Sequence, residues 1–93
     1  KENRNYEVDF AVVDRGHVKE LVQETYDFSN PTTKLYNREV GGLLKGAAAT
    51  RCRNLTLVMM FGEPRDIQEG EYTVHCVTAT DWLLNHSSFG HTG

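Results

Sequence analysis

The sequence predicts a small α+β domain, a two-layer sandwich with helices packed on a mixed or antiparallel sheet. Residues 6–12 and much of 51–80 alternate apolar and polar side chains, which is the period of a β-strand. Residues 15–27 instead repeat apolar side chains at intervals of three and four, which is the period of an amphipathic helix. A chain of 93 residues has the size of one domain. We therefore expect a single α+β domain over 1–93, and an opening Lys is compatible with excision from a longer protein.

The first half of the chain is predicted to form a strand followed by the main helix. The strand covers residues 6–12. Asp14 fits the N-cap of a helix over about 15–27, since its side chain can accept hydrogen bonds from the first free amides. The helix is expected to end before Pro31, because the residue before a proline disfavours helical geometry.

Residues 34–40 predict a short second strand, and the glycines within 41–50 predict a turn that leads into a short helical piece. Residues 51–80 are interpreted as a β-hairpin. Its first strand, 53–61, ends in residues that are apolar on both faces, as in a central strand. Its connector, 62–70, holds a proline and several charges and is expected to be an exposed loop. A short helix starting near Thr80 completes the order β-α-β-(turn or α)-β-β-α, with the helical pieces on one sheet face.

Composition excludes some classes of function. The chain is 39% hydrophobic and 25% charged, with a formal net charge of −3. That charge provides no general attraction to nucleic acid or to an anionic membrane. No apolar run approaches the roughly 18 residues of a spanning helix. A membrane is therefore not expected as a partner.

The two cysteines help to distinguish an intracellular from a secreted protein. In the predicted hairpin, Cys52 and Cys76 lie too far apart for a direct disulfide. Free thiols and an intracellular location are favoured. Glycosylation-type triplets begin at Asn54 and Asn85 and leave secretion open.

Histidine and cysteine side chains show no recognisable metal-binding or catalytic pattern. Paired C-x2-C and H-x3-5-H spacings are not combined anywhere in the chain. His75 and Cys76 are neighbours on a predicted strand and therefore point to opposite faces. His86 and His91 have a usable spacing but belong to an aperiodic tail. We expect no metal, no cofactor and no catalytic residue, with a small His/Cys enzyme as the least favoured alternative.

Basic residues concentrate in the middle third of the chain, with a tyrosine among them. Such a mixture is typical of a surface that faces phosphates. The candidate nucleic-acid-binding residues are Lys34, Tyr36, Arg38, Lys45, Arg51 and Arg53. An ordinary solvated face is the competing interpretation.

The glycine-rich segment carries a resemblance to a known family. Val40-Gly41-Gly42-Leu43-Leu44-Lys45-Gly46, followed by the apolar strand 53–60, resembles the nucleotidyltransferase core. The resemblance includes the inactive branch, the DZF domains of double-stranded-RNA-associated proteins such as the interleukin enhancer-binding factors. Active members place two acidic metal ligands where this chain has Asn54 and Thr56. Neither supplies the carboxylate oxygen that Mg²⁺ prefers, so the resemblance, confined to about residues 40–60, implies a catalytically inactive copy.

Three classes of function follow. The first is a non-catalytic interaction module, associated with RNA through the basic residues. The second is a protein–protein or dimerisation module without affinity for nucleic acid, so that a protein partner or self-association is expected in either case. The small His/Cys enzyme ranks last, because a chain of this length leaves little room for a deep pocket.

Overall fold

The computed structural model describes residues 8–90, and side chains as far as residue 85. The elements are β1 Phe10–Asp14, β2 His17–Asp27, α1 Thr33–Thr50, β3 Leu55–Phe61, β4 Arg65–Glu69, β5 Tyr72–Thr78 and α2 Ala79–Gly90. The strands form a five-stranded mixed sheet in the order β1-β2-β3-β5-β4. The predicted α+β class and mixed sheet are confirmed, but the element order is β-β-α-β-β-β-α.

The predicted helix over about 15–27 is wrong, because this segment forms β2. Asp14 pairs with His17 at the end of an antiparallel hairpin. Its two-residue loop consists of Arg15 and Gly16, with φ of 54° and 80°. Positive φ at both loop positions matches the right-handed twist of the flanking strands. Asp14 therefore ends a strand instead of capping a helix.

A β-bulge explains why β2 has a helical pattern of apolar residues. Two successive residues of β1 pair with Val18 and Glu20, so Lys19 is an extra residue in β2. The bulge brings Val18 to the side of the sheet where Leu21 is fully buried. Apolar side chains three positions apart thus share a face of a strand, as they would on a helix.

The long helix α1 replaces the predicted strand at 34–40 and the predicted glycine turn. Its N-cap is Thr32, whose hydroxyl accepts a hydrogen bond from the Leu35 amide. Val40, Leu43 and Ala47 are buried at helical spacing. The burial of this face stabilises the helix against the unfavourable propensity of its internal glycines, because packing dominates helix stability in proteins.

The predicted hairpin at 51–80 is divided differently. Strands β3 and β5 are neighbours, but they run parallel. The connector 62–70 contains β4, which pairs antiparallel with β5 at the sheet edge. The actual hairpin joins β4 to β5 at Gly70, whose φ of 62° suits a tight turn. The predicted central position of β3 is confirmed, since it lies between β2 and β5.

The helices lie on opposite faces of the sheet, which corrects the expectation that they share one face. The first, called the α1 face, buries a core formed by Leu21, Phe28, Val40, Leu43, Ala47, Cys52, Leu55, Leu57, Met59, Val74 and Cys76. On the other, called the second face, Phe10 pairs with Val22. The Phe10 ring contacts that of Trp82 in α2, with centroids 5.6 Å apart.

Two further expectations concern the cysteines and the membrane. Cys52 and Cys76 are both buried and free, as expected. Within residues 8–90, no helix has the length and hydropathy required to cross a bilayer.

Candidate interaction surfaces

The described residues contain no group of three or more His, Cys, Asp or Glu side chains placed to hold a metal ion. Cys76 is 2% exposed on the α1 face, and burial raises the pKa of its thiol. Its neighbour His75 lies on the second face, where Nδ1 is 2.9 Å from Asp66 Oδ1. The two side chains are thus separated by the sheet and form no nucleophile–base pair. His91 lies outside the described residues, and the side chain of His86 is not described.

The positions that correspond to the acidic ligands of active nucleotidyltransferases have structural partners. The Asn54 side-chain amide donates to the Lys19 carbonyl oxygen at 3.3 Å. The Thr56 hydroxyl donates to Glu20 Oε2 at 2.7 Å. Both bonds connect the start of β3 to β2. Neutral side chains in this position hold the strands together and supply no anionic oxygen of their own.

The structure distributes the candidate nucleic-acid-binding residues over a long surface. Lys34, Tyr36, Arg38 and Lys45 belong to α1, Arg51 is its C-cap, and Arg53 precedes β3. Lys34 and Arg51 lie near opposite ends of the helix, about 25 Å apart at 1.5 Å per residue. The six residues therefore do not form one compact patch.

Three of the six do share one side of α1. Lys34, Arg38 and Lys45 are exposed and are separated by four and seven positions, which returns to the same side of a helix. The acidic residue of α1, Glu39, is only 4% exposed. We call Lys34, Arg38 and Lys45 the basic stripe, because the outer surface of α1 carries positive charge alone.

Tyr36 is separated from the basic stripe and faces the sheet. Its ring stacks on Phe28, with centroids 6.2 Å apart. Its hydroxyl donates to a carboxylate oxygen of Glu69. The ring and the hydroxyl are therefore both engaged within the fold.

The remaining two arginines have local structural roles. Arg53 forms an ion pair with Glu71 at 3.1 Å and lies over the Tyr72 ring, 5.1 Å from its centroid. Arg51 ends α1 in the left-handed conformation, with φ of 63°, and its amide donates to the Ala47 carbonyl oxygen. Arg51 thus ends α1, and Arg53, just before β3, contacts residues at or just before the start of β5.

A second surface was not predicted from the sequence. At the carboxyl ends of β2 and β3, Tyr26, Met60 and Phe61 are 70%, 55% and 51% exposed. The Tyr26 and Phe61 rings meet edge to face, with centroids 5.2 Å apart. We call these residues the apolar rim. Apolar side chains at the end of a strand normally indicate burial, so the pattern alone contains no signal that would identify a surface.

A cavity of about 320 Å³ lies beside the apolar rim. It is lined by Glu24, Thr25, Tyr26, Val58, Met60 and Ala79. Glu24 is exposed, and its backbone amide donates to Asp9 Oδ2 at 2.7 Å. The cavity combines apolar walls with a carboxylate at its margin.

Comparison with known proteins returned no matching family model, no matching curated protein and no matching solved structure.

Proposed function

We propose that this chain is a non-catalytic interaction module that binds a protein partner through the apolar rim. Tyr26, Met60 and Phe61 are each more than half exposed. The observation that carries the proposal is that Tyr26 joins them, because its ring contacts that of Phe61 and it lines one cavity with Met60. Aromatic residues and Met are enriched in the centres of protein interfaces. The cavity beside them offers a recess for a partner side chain, and interface anchors commonly occupy such recesses.

Two observations support the non-catalytic part of the proposal. Asn54 and Thr56 are neutral and donate to groups on β2. Cys76 is buried with a raised pKa, and a protonated thiol is a poor nucleophile. The resemblance of residues 40–60 to DZF domains agrees, since it implies an inactive member of an RNA-associated assembly.

The test compares proteins captured by immobilised wild-type chain and by three variants. Tyr26→Ala and Phe61→Ala should each lose a partner that the wild type retains, because interface energy concentrates in large buried aromatics. Leu84→Ala is the matched control, since Leu84 is 62% exposed but lies on α2. A partner retained by both rim variants, each shown to be folded by circular dichroism, would overturn the assignment to the rim.

RNA is a second candidate ligand, favoured by the basic stripe. Lys34, Arg38 and Lys45 present positive charge with no exposed acid on the same helix. These three cations extend over about 17 Å of the helix and can contact successive charges of a phosphate backbone. Affinity arising in this way depends strongly on salt.

An amide NMR titration with short single- and double-stranded RNA tests this candidate. Salt-sensitive shifts should cluster on α1. The double variant Lys34→Ala/Lys45→Ala should weaken binding and reduce the salt slope by about one for each phosphate that a lysine no longer neutralises. Lys19→Ala on β2 is the control for removal of a lysine away from α1, and Arg38 is left unchanged because its guanidinium pairs with Glu39. An unchanged spectrum with both RNAs would eliminate RNA and leave the protein partner.

A further inference from the structure

The two edges of the sheet differ in chemistry. The outer edge of β4 carries the sequence Arg-Asp-Ile-Gln-Glu, and charged residues there discourage pairing with another chain. The outer edge of β1 has no strand partner among the described residues. Phe10, Val12 and Val13 in β1 are 36%, 41% and 58% exposed. An apolar edge strand of this kind favours addition of a further strand.

We infer that β1 pairs antiparallel with β1 of a second copy, across a two-fold axis at Val12. Such an interface is isologous and closes at two copies. It would join two five-stranded sheets into one continuous sheet. Val12 of one copy faces Val12 of the other, Ala11 faces Val13, and Phe10 faces Asp14. Val12 and Val13 are thus the exposed apolar side chains of β1 that the second copy covers.

Charge complementarity favours a second copy of this chain as the partner at the outer edge of β1. Asp9 and Arg15 each lie three positions from Val12, so in this register Asp9 of one copy faces Arg15 of the other, twice by symmetry. One Asp9 oxygen accepts from the Glu24 amide, which leaves the other available. Arg15 is exposed and lies in the turn that follows β1. Asp9 and Arg15 flank β1, which itself spans Phe10–Asp14. An acid before the strand and a base after it are brought together only by antiparallel pairing.

The neighbouring registers are worse. A shift of one position in one direction places Asp9 opposite Asp14, and like charges on paired strands repel. A shift in the other direction places Asp9 opposite Gly16 and removes both ion pairs. The register centred on Val12 is thus the one that combines apolar contact with paired opposite charges.

The first experiment measures mass against concentration by sedimentation equilibrium. The wild-type chain should form a dimer, and Val12→Lys should be monomeric because two ammonium groups would face each other across the axis. Val12 is substantially exposed in the single chain, so the variant should still fold, which circular dichroism checks. Phe61→Lys is the control: it alters an apolar residue of the rim that is somewhat more exposed than Val12 and should leave the dimer intact. A wild-type chain that remains monomeric at millimolar concentration overturns the inference.

A charge exchange tests the register independently. Asp9→Arg and Arg15→Asp should each weaken dimerisation on the order of tenfold or more, because each creates like-charge pairs. The double variant should recover most of the wild-type affinity, since it restores opposite charges with reversed positions. Failure to recover would overturn the pairing of Asp9 with Arg15. The dimer interface does not use the apolar rim, so this proposal and the protein-partner proposal fail or succeed separately.

Discussion

At the scale of single residues, Glu39 is the most buried acidic side chain among the described residues. Its carboxylate is almost fully buried under α1. Gln23 donates to Oε1 at 2.6 Å, and the Arg38 guanidinium lies 3.0 Å from Oε2. A buried carboxylate is tolerated when it is both paired and hydrogen-bonded. Arg38 therefore contributes to the fold as well as to the basic stripe.

Replacement of Glu39 tests this environment. Glu39→Ala should lower the free energy of unfolding by about 1–3 kcal/mol, because the partly buried Gln23 amide would lose its acceptor. Glu39→Gln should be milder, since its carbonyl oxygen can still accept that hydrogen bond. Urea denaturation of the three proteins measures both effects. Equal midpoints for the Ala and Gln variants would contradict the role assigned to the hydrogen bond.

Tyr36 gives the protein a predictable response to alkali. Burial, and next the hydrogen bond to Glu69, raise the pKa of Tyr36 from 10.0 to about 12. The unfolded chain releases this proton at lower pH than the folded chain. The stability contributed by neutral Tyr36 is therefore complete below pH about 10 and decreases as the pH rises through about 12.

The measurement compares wild type with Tyr36→Phe, which has no phenol to ionise. The wild type should lose stability faster between pH 10 and pH 12, so the difference in free energy of unfolding should shrink over that interval. Tyr26→Phe serves as the control, since the Tyr26 side chain is 70% exposed. A wild-type advantage that stays constant with pH would contradict this explanation.

At the scale of secondary-structure elements, α1 depends on its ends because its interior contains glycines. The Thr32 hydroxyl accepts from the Leu35 amide at 3.1 Å and satisfies one of the free donors of the first turn. Thr32→Ala should lower stability by about 0.5–2 kcal/mol. Thr33→Ala, one position later and exposed, should have little effect. Thermal unfolding of the two variants compares them, and equal losses would show that the cap does not contribute.

Two elements, β2 and α1, differ from what the sequence predicts. The apolar residues of β2 predict a helix because the bulge at Lys19 changes their spacing along the strand. The start of α1 has the pattern of a short strand. Its centre has the pattern of a turn, because the glycines there weaken local helix propensity. In both segments tertiary packing overrides the local signal, a known limit of propensity.

At the scale of the whole molecule, the parallel arrangement of β2, β3 and β5 places β3 at the centre of the sheet. Leu55, Leu57 and Met59 of β3 are fully buried. Amides in such a strand open only with large-scale unfolding, whereas edge strands open locally. Hydrogen exchange followed by NMR should therefore be slowest in β3 and faster in β4. Protection of β4 equal to that of β3 would contradict this order.

The candidate surfaces could be predicted only in part. The basic residues are visible in the sequence, but their separation into the basic stripe, the engaged Tyr36 and the locally paired Arg53 depends on α1 being a helix. The apolar rim cannot be predicted from the sequence, because apolar residues at a strand end have the same pattern whether or not another element covers them.

The sequence by itself determined the α+β class, the central position of strand 53–61 and the free state of Cys52 and Cys76. The first two follow from side-chain chemistry over a few neighbouring residues, chiefly from which side chains avoid water. The free thiols were expected from their separation in a hairpin at 51–80, and they are free although β3 and β5 run parallel. Only the tertiary structure decided that β2 is a strand, that β3 and β5 run parallel and that Tyr26, Met60 and Phe61 remain exposed. These features depend on contacts between residues distant in the chain, and such contacts produce no periodic pattern in the local sequence.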